Sequence, residues 1–500
     1  MTREHMSPVD VAWLRMDRPT NLMLIVGVMT FDGPLPFETL RQRVAERFAA
    51  LPRFRQRPRD AEGPPHWEDD PDFDLDAHLH RTALPAPSGK RELEALVGEL
   101  ACAELDHRRP LWEFHLVENH AGGSAVILRI HHCYADGMAL MSVFMGMADA
   151  RDGEAPGAPD RRRRRRRGRL AWIGELPGPG SALVEHALAA GGQWMTRLAD
   201  LALHPRRANE FAQHAVGLLA EATRVALLPP DPPTPLKGRI GRRKRVAWGE
   251  RLPLAEVAAV AHAHGCKVND VLMATAAGAL GDYLRSRGVR TEGLAIRATV
   301  PVNLRRAEDA SALGNGFGLV FLDLPVGTAD PVERLLEVQG AMEGLKRSYQ
   351  PLLMLGVLGA LGLMPGRLET AAVDLLSSKT SLVASNVRGP AGPVYLGGRR
   401  ITSLVFWVPQ SGELAAGISL LSYDGAVQFG LLADARRVPE PAEVVARFPA
   451  AFEQLVLATL LGPLARRAAP APTRARPSPA RRRGAPSRRR ASTPRPSGTA

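Results

Sequence analysis

Two apolar runs, LWEFHLVE and SAVILRIHH, flank the short stretch NHAGG, and a third, MALMSVFMGMADA, follows an Asp-Gly pair. Apolar runs of this length on either side of a glycine pair predict a β-hairpin, with Gly122 and Gly123 supplying the turn. The third run predicts a helix, and Asp136 stands where its N-cap belongs. The segment RIHHCYADG (Arg129–Gly137) therefore lies at the exit of a strand, just before a helix.

The rest of the 500 residues is too long for one ordinary domain. NLMLIVGVMTFDG (Asn21–Gly33) reads as a strand ended by a glycine turn. PFETLRQRVAERFAALPRF places Leu40, Val44, Phe48 and Leu51 at helical spacing, and a second helix covers about Lys90–Leu105. Gly153–Pro159 breaks this pattern, an arginine run follows, and LLPPDPPTP (Leu227–Pro235) is a stiff proline linker. The second half predicts helices at about Leu254–His264 and Val268–Arg285. Strands are predicted at Ala295–Val300, Phe317–Leu324, Ser381–Asn386, Ile401–Trp407, Gly417–Ser422 and Val427–Leu432, and a last helix at about Pro441–Leu460. The expected organisation is an N-terminal subdomain over 1–150, a linker over 151–234, a C-terminal subdomain over 235–463 and a basic tail over 464–500. Both halves mix helices with strands, so the fold class is α/β or mixed α+β.

The net charge of +13 suggests a nucleic-acid binder until it is located. Arg466–Ala500 holds 11 arginines and Arg161–Arg169 holds 8, with no acid in either, so the remainder is mildly acidic. Charge confined to low-complexity tracts fits unspecific contact with anionic surfaces, not specific nucleic-acid recognition. Cys102, Cys133 and Cys266 are few and far apart, which argues against a disulfide framework and for a cytoplasmic setting. The longest uncharged apolar stretch, Pro351–Gly366, is short of the roughly 20 residues that a bilayer span needs.

Side chains alternate along a strand, so His131 and His132 are expected to point opposite ways. They cannot then share one metal ion, and no nearby Cys or Glu supplies a third ligand at zinc spacing, so no metal is expected at this pair. One histidine is expected to be held inside the fold while the other faces a cleft, where an imidazole suits general-base work. Asp136 could fix the loop by capping the helix or by pairing with a distant arginine. Gly137 allows a close backbone approach or a positive φ. A purely structural strand-to-helix corner would use the same residues. Asn269 and Asp270 are expected as N-cap and first-turn residues of a long helix.

HHCYADG resembles the H-H-x-x-x-D-G motif of the coenzyme A-dependent acyltransferase superfamily. MSPVDVAWLRMD, PLWEFHLVE, PLKGRIGRRKRVAW, VNDVLMATAAGAL, VPVNLRR with LGNGFG, and SNVRGP resemble motifs of the bacterial wax ester synthase/diacylglycerol acyltransferase family, in the same order, over about residues 5–460. The resemblance implies two chloramphenicol-acetyltransferase-like subdomains with a tunnel between them. Acyl-CoA would enter from one side as co-substrate, with no resident cofactor. A diacylglycerol or long-chain alcohol would enter from the other. It implies that His132 is the base, Asp136 a loop organiser and His131 structural. Ser385 and Asn386 become candidates for the oxyanion donor, and Asn269–Asp270 a motif near the cleft. Lys237 stands where the family usually has Asn. A cytoplasmic enzyme at the inner membrane face or on lipid inclusions is the implied setting, with the Arg161–Arg167 run a candidate anchor. The alternatives are a condensation-type acyltransferase with another donor or acceptor and a non-catalytic lipid-body protein.

Overall fold

The computed structural model describes residues 3–60, 63–149, 205–305 and 313–468. The Arg161–Arg167 run and nearly all of the basic tail lie outside them.

The hairpin forms as expected from its apolar runs. Trp112–His120 and Gly123–His131 pair antiparallel, and the second strand is buried along its whole length. The turn is not the expected one: Ala121 and Gly122 take positive φ (48° and 80°), whereas Gly123 already belongs to the strand. Gly123 is required there for another reason, since a Cβ would meet the Phe31 carbonyl oxygen at 2.5 Å.

Around this hairpin runs a six-stranded sheet in the order Tyr395–Leu396, Arg399–Trp407, Leu24–Phe31, Gly123–His131, Trp112–His120, Leu79–Thr82. A seven-stranded sheet holds Phe317–Leu324, Ile296–Asn303, Leu382–Arg388, Ala416–Tyr423, Ala426–Asp434 and Lys244–Trp248 in that order, with Leu252–Pro253 also on Ala426–Asp434. A small third sheet is made by Arg3–His5, His66–Asp69 and Gln56–Arg59.

One strand departs from the expected division. Ile401–Trp407 reads as part of the C-terminal subdomain, but Arg399–Trp407 pairs with Leu24–Phe31 and completes the first sheet. It also ties the two sheets together. Trp407 Cζ2 lies 3.0 Å from where a Gly430 Cβ would stand, and Ser403 shares a 2.7 Å hydrogen bond with Gln428. Hydrophobic alternation reveals a strand but not its neighbour, so this swap had no local signal.

Other boundaries shift modestly. The second helix stops at Leu100, where its Gly98 packs on Lys244: a Cβ would meet the Lys244 carbonyl at 3.0 Å. The Leu40–Leu51 helix splits into an α-helix, Phe37–Arg43, and a π-helical turn, Val44–Phe48. The last helix divides into Pro441–Val445 and Arg447–Ala468. Among the described residues, Pro441–Gly462 is the one segment apolar and long enough to cross a membrane. Phe448, Ala451, Phe452 and Leu455, at helical spacing, bury its inner face in the core of the second sheet. Val268–Ser286 lies in the same core with most of its length buried.

Candidate active site

The first sheet delivers the two histidines to a corner held by backbone bonds. His131 is the last paired residue of its strand, opposite Leu24. His132 N–H then donates to the Met23 carbonyl at 2.7 Å, and the chain turns. Tyr134 locks the turn: its hydroxyl donates to the Gln56 carbonyl at 2.6 Å and accepts from Leu111 N–H at 3.0 Å.

His131 is fully engaged. Its Nδ1 accepts from Cys133 N–H at 3.2 Å, so Nε2 carries the proton and donates to Asp17 Oδ2 at 3.1 Å. Asp17 also accepts from Met23 N–H at 2.5 Å. Burial works to raise the Asp17 pKa, but His131, the Met23 amide and His107 outweigh it and hold the carboxyl below its ordinary range.

His132 has a different environment. Its ring stacks on Trp13 with centroids 4.2 Å apart, and Phe317 lies 5.5 Å away at a tilt. Burial pushes its pKa down to about 3, assisted by the proximity of His131, so the imidazole is neutral over the whole physiological range. Its own backbone carbonyl and the Asn315 side chain act the other way. Nδ1 is buried with no well-formed hydrogen bond. The residue is 3% exposed.

Asp136 does both things the sequence allowed. Oδ1 caps the helix Gly137–Met147 by accepting from Met138 N–H at 3.1 Å and Ala139 N–H at 3.0 Å. Oδ2 accepts from Gly316 N–H at 3.1 Å and pairs with Arg305 at 2.9 Å, and both side chains of that pair are buried. Gly137 serves close approach, not a positive φ: a Cβ would sit 3.3 Å from the Phe406 ring.

The loop Gly314–Gly316 from the second half completes the corner. Ala135 and Gly314 form an isolated parallel bridge, with Gly314 at φ 104°. Asn315 Nδ2 donates to the His132 carbonyl at 2.9 Å and to Asp10 Oδ1 at 2.8 Å. Trp13, Asp10 and Asp17 all come from the helix Pro8–Arg15 and the turn after it. None of Asp10, Trp13, Asp17, Arg305 or Asn315 was singled out from sequence. Each lies in a segment quoted for the resemblance, MSPVDVAWLRMD, VPVNLRR or LGNGFG, and that was the available signal.

A second corner brings Asn269 and Asn386 together, 2.6 Å apart through Oδ1 and Nδ2. Asn269 is not the N-cap as expected: Lys267 holds that position, and Asp270 Oδ2 reaches back to accept its N–H at 2.9 Å. The Ser385 hydroxyl donates to the Ile418 carbonyl at 3.2 Å. Among the described residues, no hydrogen bond joins His132 to Asn269, Asp270, Ser385 or Asn386. Lys237 stitches the proline linker to the second half, its Nζ donating to the Ser378 carbonyl and, at 3.1 Å, to that of Thr380.

Two mixed sheets joined by an exchanged strand, with a His-His-x-x-x-Asp-Gly corner at their contact, define the coenzyme A-dependent acyltransferase fold. The wax ester synthase/diacylglycerol acyltransferase from Marinobacter aquaeolei VT8 has this fold, with a TM-score of 0.64 at 24% identity over 92% of this chain and 100% of that one. So does the first condensation domain of the calcium-dependent antibiotic synthetase, with a TM-score of 0.57 at 18% identity over 92% and 96% of the two chains. Residues 6–272 match the wax ester synthase/diacylglycerol acyltransferase catalytic domain, and residues 313–456 match the C-terminal domain of the same family. The "Probable diacyglycerol O-acyltransferase tgs2" of Mycobacterium tuberculosis is 30% identical over 468 residues, 90% of this chain and 98% of that protein. The tgs1 protein of the same organism, with the same description, is 28% identical over 476 residues, 93% and 98% of the two chains. The chain belongs to the wax ester synthase/diacylglycerol acyltransferase family and is an acyltransferase.

Proposed function

We propose that the protein transfers a long-chain acyl group from acyl-CoA to the hydroxyl of a diacylglycerol or a fatty alcohol, giving triacylglycerol or wax ester. The observation that carries this reading is the single neutral imidazole of His132, buried between Trp13 and Phe317 at the corner where the two halves meet. An alcohol is far too weak an acid to ionise at neutral pH, so it needs a base in reach as it attacks. Nδ1 is buried, so Nε2 is the nitrogen for that role. It takes the hydroxyl proton as the oxygen bonds to the thioester carbonyl carbon. The tetrahedral oxyanion collapses, the C–S bond breaks, and the CoA thiolate recovers the proton from His132. No acyl-enzyme and no resident cofactor take part. Asp136, His131 and Asn315 position the ring and do not touch substrate.

His132 is 3% exposed, so the reading includes a narrow apolar passage between the halves that brings the acceptor to its ring. Peripheral binding at a membrane face or lipid inclusion would supply both substrates. Supporting it, Leu363, Leu368 and Leu375 are exposed near Arg367. The test is purified protein with palmitoyl-CoA and, in separate reactions, dipalmitoylglycerol and hexadecanol. Thiol release that depends on an acceptor, with the matching ester formed, is expected. Thiol release that is the same without any acceptor would mean a thioesterase and overturn the assignment.

A further inference from the structure

On the face of the first sheet that carries Arg129, the edge strand Leu79–Thr82 runs parallel to Trp112–His120, with His80 in register with His115. Glu113, two residues before His115, projects from the same face. The two imidazoles stack with centroids 4.6 Å apart, and His115 Nε2 lies 3.1 Å from Glu113 Oε2. His80 Nε2 lies 3.9 Å from Glu113 Oε1 and is buried with no hydrogen-bond partner. One donor atom from each of the three side chains falls within 4.8 Å of the other two.

We propose that His80, Glu113 and His115 bind one divalent transition-metal ion, zinc by preference. An ordinary ion-pair cluster accounts for Glu113 with His115 and Arg129, but not for His80, whose Nε2 faces the carboxylate without bonding to it. Arg129 Nη1 holds Glu113 Oε2 at 2.7 Å while its Nη2 donates to the Ala103 carbonyl, and Oε1 is the oxygen that faces the His80 nitrogen. Two imidazoles and one carboxylate favour zinc over magnesium or calcium, which prefer all-oxygen sets. The His80 side chain as a whole is 39% exposed, which puts the cluster at the protein surface although Nε2 itself is covered. Its effect would be structural: the ion would pin a four-residue edge strand to its neighbour, an edge otherwise held by few bonds.

The test uses the full-length protein stripped with EDTA, dialysed, and titrated with Zn²⁺ against a chromophoric chelator. One equivalent bound with micromolar affinity or better is expected, and Mg²⁺ should not compete. His80→Ala removes a partly exposed side chain with no hydrogen bond of its own, so the variant should fold. It should weaken the binding at least about tenfold and cancel the rise in melting temperature that zinc gives the wild type. Absence of stoichiometric binding, or equal binding and equal thermal shift in His80→Ala, would overturn the proposal.

Discussion

The corner at His131–Gly137 and the corner at Asn269 and Asn386 both gather polar side chains at the end of a sheet, yet their bonding differs. At the first, Asp136 makes four contacts, to two helix amides, the Gly316 amide and Arg305, and His131 is bonded at both nitrogens. Trp13 Nε1, His132 Nδ1 and Asn315 Oδ1 are the buried atoms left without a partner there, all three around the His132 ring. At the second, Asn269 Nδ2, Asp270 Oδ1 and the hydroxyl of Ser419, which stands beside Ser385 on the neighbouring strand, are all buried and unpartnered. Buried polar groups are nearly always satisfied, and exceptions gather where a ligand or a reacting group is served. The first corner thus spends its hydrogen bonds on fixing one imidazole. The second has one side-chain bond across it, Asn386 to Asn269, and no comparable set of bonds around a single ring.

The largest stability change that sharpens this contrast comes from Asp136→Ala. It strips a helix cap and leaves Arg305 buried without its carboxylate, so urea unfolding should show a loss of about 3–5 kcal/mol. A loss below about 1 kcal/mol would mean that the corner is not held as described. Ser385→Ala comes next. Its one hydroxyl hydrogen goes to the Ile418 carbonyl, so the cost should be about 1 kcal/mol of stability with kcat within a few-fold of wild type. A fall of about 10² or more would instead assign Ser385 the oxyanion-donor role.

The smallest effect concerns Glu369, outside both corners. It is buried with neither carboxylate oxygen bonded, and burial raises its pKa to about 7 in spite of Arg15 nearby. Its unfolded value is about 4.3, so the folded state binds the proton more tightly. Its contribution to stability is therefore present at low pH and lost as pH rises through the interval up to about 7. Glu369→Gln should raise the urea midpoint at pH 8 and change it little at pH 4. An equal shift at both values would exclude titration of this carboxyl as the cause.

Much of the first corner could be read from residues 111–147 alone. Strand, corner and capped helix follow from local periodicity and from Asp136 at the N-cap position, and opposite roles for the two histidines follow from strand alternation. What makes those roles specific comes from far along the chain. Asp17 reaches His131 across 114 positions, and Asn315 reaches the His132 carbonyl across 183. Local pattern carries no information about such approaches, nor about which sheet receives Arg399–Trp407. The hairpin turn was misplaced by one residue because Ala121, not Gly123, bears the positive φ, a conformation that alanine seldom adopts. At the second corner the sequence marked Asn269 and Asn386 separately, and only the fold shows that they bond to each other.

The most direct measurement is acyl transfer by His132→Ala, with far-UV circular dichroism confirming an intact fold. With palmitoyl-CoA and the preferred acceptor, kcat should fall by at least about 10². Thiol release and ester formation at the wild-type rate would show that the buried imidazole takes no proton and contradict the account.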